Sequence, residues 1–145
     1  MSLHQFFLTT LVLTGVAGST LASSVANAAE SPGAAARSNY SNFKDMVLAV
    51  CIARAYQAQS AASADAASSA RSLVDWTFYD AEKSADEIDH LVKQYIGRDY
   101  RNPLAVVEQR DIQFNLLKCL HLYHSKELNV LVKRVVLQPN SKARQ

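Results

Sequence analysis

Apolar side chains recur along most of this chain at intervals of three and four residues, the spacing that lines up one face of an α-helix. Five segments carry the pattern. The first runs from about Asn42 to Gln57 behind Ser41 as its cap, with Phe43, Met46, Val47, Val50 and Cys51 on one stripe. The second, about Ser63 to Trp76, is an Ala/Ser-rich run without glycine. The helix preference of alanine favours a helix there over a linker, and its small faces admit a close neighbour. The third, about Asp80 to Ile96, is expected to bury Ala81, Ala85, Ile88, Leu91, Val92, Tyr95 and Ile96. Asp80 and Glu82 suit the positive end of its dipole, and Gly97 suits its stop. The fourth runs roughly from Leu104 to Tyr123. Ile112, Leu116, Cys119, Leu120 and Tyr123 form one stripe, and Phe114, Leu117 and Leu122 make the helix apolar almost all round, so it is expected at the centre. Ser125 caps a fifth, Lys126 to about Leu137, with Leu128, Leu131, Val132 and Val135 inward and Pro139 ending it. Trp76, Phe78 and Tyr79 gather at the corner between the second and third helices and are expected to plug one end of the core. The predicted fold is all-α, a compact bundle of about five helices.

Composition narrows the class. The 145 residues are 49% hydrophobic and 19% charged, which excludes both a disordered chain and a polytopic membrane protein. Four glycines and three prolines are too few for a turn-rich β fold. A net charge of +2, without a basic stripe, does not suit a nucleic-acid binder. The charge is unevenly spread: Asp75 to Asp89 holds six acids (75, 80, 82, 86, 87, 89) and one base, Lys83, whereas the chain from Lys93 onward is basic. A solvated helix face is the plain reading. The functional one is an acidic face, Glu82, Asp86, Glu87 and Asp89, that steers a basic protein partner.

Residues Phe6 to Leu21 form an uncharged apolar stretch, softened by Thr, Gly and Ser and followed by the small-x-small site Ala26-Asn27-Ala28. That is the layout of a secretory signal peptide over residues 1–28, although the segment before the stretch offers only His4 as a basic group. A membrane anchor would need about 20 strongly apolar residues. Residues 29–40 then read as a loose tail, 41–137 as the helical domain and 138–145 as a basic C-terminal tail. Export to an oxidising compartment favours joining Cys51 to Cys119, the two cysteines of the chain, in one interhelical disulfide. The alternative is a catalytic thiol. Cys119 and His121 lie two residues apart and point to different sides of a helix, but a distant histidine approaching Cys51 stays open.

Other chemistry is thinly represented. His121 and His124 are three apart on a helix and would need further ligands to hold a metal; a surface pair is the simpler reading. Glu87 and His90 read as an exposed pair, and Asp86, Glu87 and Asp89 as solvated carboxylates rather than an acid/base couple. There is no G-x-S-x-G, P-loop, C-x-x-C-H or H-E-x-x-H pattern. The reading is a non-enzyme with no cofactor and no metal.

Three stretches carry a resemblance. They are Cys51-Ile52-Ala53-Arg54-Ala55-Tyr56, then Leu91-Val92-Lys93-Gln94-Tyr95-Ile96, and then the denser Leu117-Lys118-Cys119-Leu120-His121-Leu122-Tyr123-His124-Ser125-Lys126-Glu127-Leu128 with Leu131-Val132. Over about residues 41–136 the chain resembles the type VI secretion amidase immunity proteins, specifically the fourth Tai family. The resemblance implies an all-helical, disulfide-linked periplasmic homodimer. Its partner would be a type VI effector amidase, a papain-like cysteine peptidase that cuts peptidoglycan between D-glutamate and meso-diaminopimelate, and binding would protect the producer from its own toxin. A cleft that holds a peptide can be plugged by a loop on a rigid scaffold. Arg98-Asp99-Tyr100-Arg101-Asn102, between the third and fourth helices, is the first candidate: Tyr100 and Arg101 are hot-spot residue types, and Asp99 is placed to approach a catalytic histidine. The acidic face Glu82, Asp86, Glu87 and Asp89 is the second. The competing function is a periplasmic helical binding or chaperone-like module without an amidase partner.

Overall fold

The computed structural model describes residues 33–100 and 112–142. A short 3-10 turn, Gly33–Ala36, leads into five helices: α1 Asn39–Ala55, α2 Ser60–Asp75, α3 Ala81–Ile96, α4 Asn115–Tyr123 and α5 Lys126–Val135. Among the described residues, extended pairing is limited to two isolated bridges, Ser38 with Lys142 and Tyr79 with Val136. The fold is the predicted all-α bundle. The signal-peptide reading of residues 1–28 lies outside the described residues, as do Arg101, Asn102 and the part of the fourth predicted helix from Leu104 to Asp111.

The centre of the bundle is α1, which packs against each of the other four helices. Its buried face, Asn39, Asn42, Phe43, Met46, Val47, Ala49 and Cys51, meets Ile88, Val92 and Tyr95 of α3, Leu122 of α4, and Leu128, Leu131, Val132 and Val135 of α5. Each such aliphatic side chain taken out of water stabilises the fold by roughly 1.5–3 kcal/mol. Along α2, Ala66 and Ala70 are buried, so its small face permits the close approach to α1 that the composition suggested.

The helix ends follow local chemistry. Ser38, not Ser41, caps α1: its Oγ accepts the Ser41 N–H at 3.2 Å, so the helix starts ahead of the predicted boundary. Asp80 caps α3 through the Lys83 N–H, and Ser125 caps α5 through the Leu128 N–H at 3.0 Å. For α2 the start is Ser60, and Ser63 is no cap; its hydroxyl donates instead to the Ala53 carbonyl of α1 at 2.8 Å. Gly97 closes α3 in a right-handed conformation, so its role is room rather than positive φ: a Cβ there would stand 3.2 Å from the Lys93 carbonyl oxygen.

The buried face of α3, the course of α4 and the 76–79 corner differ from what the pattern predicts. Ala81 and Ala85 are exposed and Ser84 is buried in their place, because the α3 stripe runs Ser84, Ile88, Val92, Tyr95. Phe114 adopts φ 51°, a left-handed conformation that stops helix propagation, so α4 begins only at Asn115. That short helix is not central: Ile112, Leu116, Leu117 and Leu120 are exposed, and its buried face is Lys118, Cys119 and Leu122. At the 76–79 corner the aromatics divide: Tyr79 meets the Phe43 ring edge-on with centroids 5.2 Å apart, while Phe78 is exposed.

Two buried asparagines knit the segments flanking the domain. Asn39 donates to the carbonyls of Leu137 and Gln138 and accepts the Phe78 N–H at 3.0 Å. Asn42 donates to the carbonyls of Ala34 and Trp76 and accepts from Arg37 Nε. Residues 33–40, placed by the sequence in a loose tail, are built into the domain through these bonds, and Ser141 accepts the Asn39 N–H at 2.9 Å from the other end of the chain.

Candidate partner-binding face

The α3 C-terminus is where the candidate loop leaves the bundle, and residues of α4 and α5 grip it. Tyr95, buried in the last turn, hands its hydroxyl to Glu127 Oε2 at 3.2 Å. The Lys118 ammonium, on a residue only 6% exposed, donates to the Ile96 carbonyl at 2.9 Å. A cation there also answers the negative end of the α3 dipole. The Arg98 guanidinium lies 3.5 Å over the centroid of the Tyr95 ring. Next, the Tyr100 hydroxyl shares a hydrogen bond of 2.6 Å with His121 Nδ1, their ring centroids 5.2 Å apart. Glu127 is held below the ordinary carboxylate range by its own backbone N–H, by the Tyr95 hydroxyl and by the nearby Arg98 charge.

Arg98, Asp99 and Tyr100 therefore stand together at the α3–α4–α5 corner, with Asp99 exposed; Arg101 lies outside the described residues.

The acidic set does not form one free field. Glu87 pairs with Arg134 of α5, and Asp89 pairs with Arg54 of α1 and with Lys93 at 2.8 Å. Those hydrogen bonds, Lys93 first and then Arg54, hold the Asp89 carboxyl below its ordinary value. Glu87 and Asp89 thus tie α3 to its neighbours, which corrects the reading of Glu87 with His90 as a pair. Glu82 and Asp86 remain exposed on the outer face of α3. Asp86, Glu87 and His90 also border a shallow groove whose other wall is Lys126, Val130 and Arg134 of α5.

Lys118, His121 and Glu127 support this loop across tertiary contacts that helical periodicity does not mark. A signal existed for Lys118. It sits one turn from Leu122 and next to Cys119, so a lysine occupies the buried stripe and must find a partner there. No comparable signal marks His121, which is exposed and meets Tyr100 across a tertiary contact.

Both cysteines and two of the described histidines are engaged. Cys51 and Cys119 are joined, with Cα atoms 5.7 Å apart, which closes the alternative of a catalytic thiol in this form of the protein. His121 faces Tyr100, and His124 lies edge-on to Tyr123 with centroids 5.0 Å apart. Among the described residues no group of three or more His, Cys, Asp or Glu is placed to hold a metal.

The described residues form a small helical bundle tied by one disulfide. The family model described as type VI secretion system amidase immunity protein, Tai4, matches residues 41–132, and the chain belongs to that family. It is an immunity protein and not an enzyme. No curated protein matches it significantly. Among solved structures it is similar to a chain from work on new type VI-secreted toxins and self-resistance proteins in Serratia marcescens. The identity is 26%, the TM-score 0.68, and the match covers 78% of this chain and 89% of that one. It is also similar to a chain of the Tae4/Tai4 effector–immunity system from Salmonella typhimurium, at 27% identity and a TM-score of 0.62 over 72% of this chain and 96% of that one.

Proposed function

We propose that this protein works in the periplasm after removal of residues 1–28, as a homodimer that binds a Tae4-type peptidoglycan amidase and occludes its active-site cleft. The amidase would be a D-glutamate–meso-diaminopimelate endopeptidase, and the outcome protection of the producer from its own toxin. Arg98, Asp99 and Tyr100, with Arg101 beyond them, form the plug; Glu82 and Asp86 of α3 supply a second contact and steer the approach of a basic surface.

The observation that carries this reading is the mounting of the loop. Its root is fixed by Lys118 and Glu127 through Ile96 and Tyr95, so Arg98 and Tyr100 are presented from a rigid corner rather than from a free strand. A presented loop binds without the full ordering cost of a flexible one.

The test is co-purification with a candidate Tae4-type amidase, followed by a peptidoglycan cleavage assay. Stoichiometric inhibition by the wild-type protein is expected, and its loss in Tyr100→Ala with Arg101→Ala while the helical circular dichroism stays intact. Full inhibition by that variant removes the loop from the account; failure to bind any muramyl endopeptidase removes the amidase.

A further inference from the structure

We propose that His121 is a positioning residue for the inhibitory loop, holding Tyr100 in the orientation that meets the amidase; this rests on the plug reading given above. His121 is exposed and adds nothing to the core, yet its Nδ1 stands 2.6 Å from the Tyr100 hydroxyl. The helix that carries it cannot drift. Cys119, two residues earlier, is bonded to Cys51 in the buried face of α1, and Lys118 fixes the last carbonyl of α3, Ile96, from which the loop departs. One short helix therefore holds the loop at its root and again at Tyr100, four residues further on, and is itself locked to the centre of the bundle.

An exposed hydrogen bond of this kind contributes little to global stability, because both partners bond well to water when the chain unfolds. Its effect falls on the conformations open to the loop. With Tyr100 latched, part of the ordering cost of binding is met during folding; without the latch it is charged against affinity at each encounter.

The experiment measures dissociation constants and inhibition with the amidase that co-purifies with the wild-type protein, alongside the melting temperature of each variant. Tyr100→Phe removes only the hydroxyl, and His121→Ala removes the ring. His121→Asn returns a polar atom at the place of Nδ1 that can accept from or donate to the tyrosine. Both deletions are expected to weaken binding by about tenfold with an unchanged melting temperature, which corresponds to about 1.4 kcal/mol. The double variant should be no weaker than either single one, and His121→Asn should return to within about threefold of wild type. The proposal is overturned if His121→Asn binds as poorly as His121→Ala, or if the two single losses multiply in the double variant, since either marks His121 as an independent contact or a bystander. Arg98→Ala with Tyr100→Ala separates the two levels. If that variant inhibits fully, the plug reading itself has failed; if it fails to inhibit while His121→Ala inhibits as wild type, only the positioning role is lost.

Discussion

Cys51, in the buried face of α1, is bonded to Cys119 of α4, so the central helix and the helix that props the candidate loop are one covalent unit across 68 residues of sequence. Closing so long a loop removes many conformations from the unfolded chain, worth about 4 kcal/mol in the chain-entropy model. Against a domain stability of roughly 5–15 kcal/mol that is a large share. Cys51→Ala with Cys119→Ala is expected to lose about 2–5 kcal/mol in chemical denaturation. Reduction of the wild-type protein should lower the unfolding free energy by a similar amount. A shift of a few tenths would mean that helix packing alone holds α4 in place.

Asn39 is the second long-range tie. Its side chain is buried and satisfies the Phe78 N–H and the carbonyls of Leu137 and Gln138, joining the start of α1 to the α2–α3 corner and to the chain after α5. Asn39→Leu leaves these part-buried groups without their partner, and each lost hydrogen bond costs about 0.5–1.5 kcal/mol. Urea denaturation is expected to show a loss of about 2–4 kcal/mol. Hydrogen exchange at Phe78 should speed up more than at Leu122 or Val132. Unchanged protection at Phe78 would sink the assignment.

The electrostatic ties set an acid limit. Asp80, Asp89 and Glu127 are all held below their ordinary values: Asp80 first by the Lys83 side-chain hydrogen bond, Asp89 by Lys93 and then Arg54, Glu127 by its own backbone N–H. A carboxyl depressed in the fold stabilises it at every pH above the unfolded value and ceases to do so as the pH falls through the folded value. With unfolded values of about 3.9 for Asp and 4.3 for Glu, the melting temperature is expected to be level from about pH 5 to 7 and to fall below about pH 4. Asp89→Asn should lower it at neutral pH and shallow the acid limb. An acid limb of unchanged slope in that variant would show that Asp89 has no part in it.

Much of this could be read in the sequence because helical periodicity is a local property. The caps at Asp80 and Ser125, and the α5 stripe Leu128, Leu131, Val132 and Val135, follow from neighbouring residues. The disulfide was legible because the chain holds two cysteines and each falls on the apolar stripe of a separate predicted helix. What the pattern misplaced depended on contacts distant in sequence or on single backbone angles. Ser84 takes the buried position of α3 although Ala81 and Ala85 are more apolar, because the face is set by Ile88, Val92 and Tyr95 one and more turns on. The loop residues Arg98 and Tyr100 were recognisable by type, but their supports were not: Lys118, His121 and Glu127 approach from other helices. Glu87 and Asp89 looked solvated because Arg134 and Arg54 lie far away in sequence.

The left-handed turn at Phe114 has a consequence that mutagenesis can read. The helix starts after that turn and turns Lys118, Cys119 and Leu122 inward, so Leu122 is wholly buried while Leu116 and Leu120, on the same predicted stripe as Cys119, keep 49% and 37% of their surface. These two leucines, with Ile112, line a hollow of mixed polarity against Ala55, Tyr56 and Ala58, which Gln59, Gln113 and Asn115 also border. A fully buried leucine cut to alanine loses its transfer energy and leaves a cavity, about 2–5 kcal/mol in all. A half-exposed one gives up less surface, and water fills the space, so the loss is expected to stay near 1 kcal/mol or below. Leu122→Ala should therefore depress the denaturation midpoint several times more than Leu116→Ala or Leu120→Ala. Equal losses at the three positions would restore the all-round apolar, central helix of the sequence pattern.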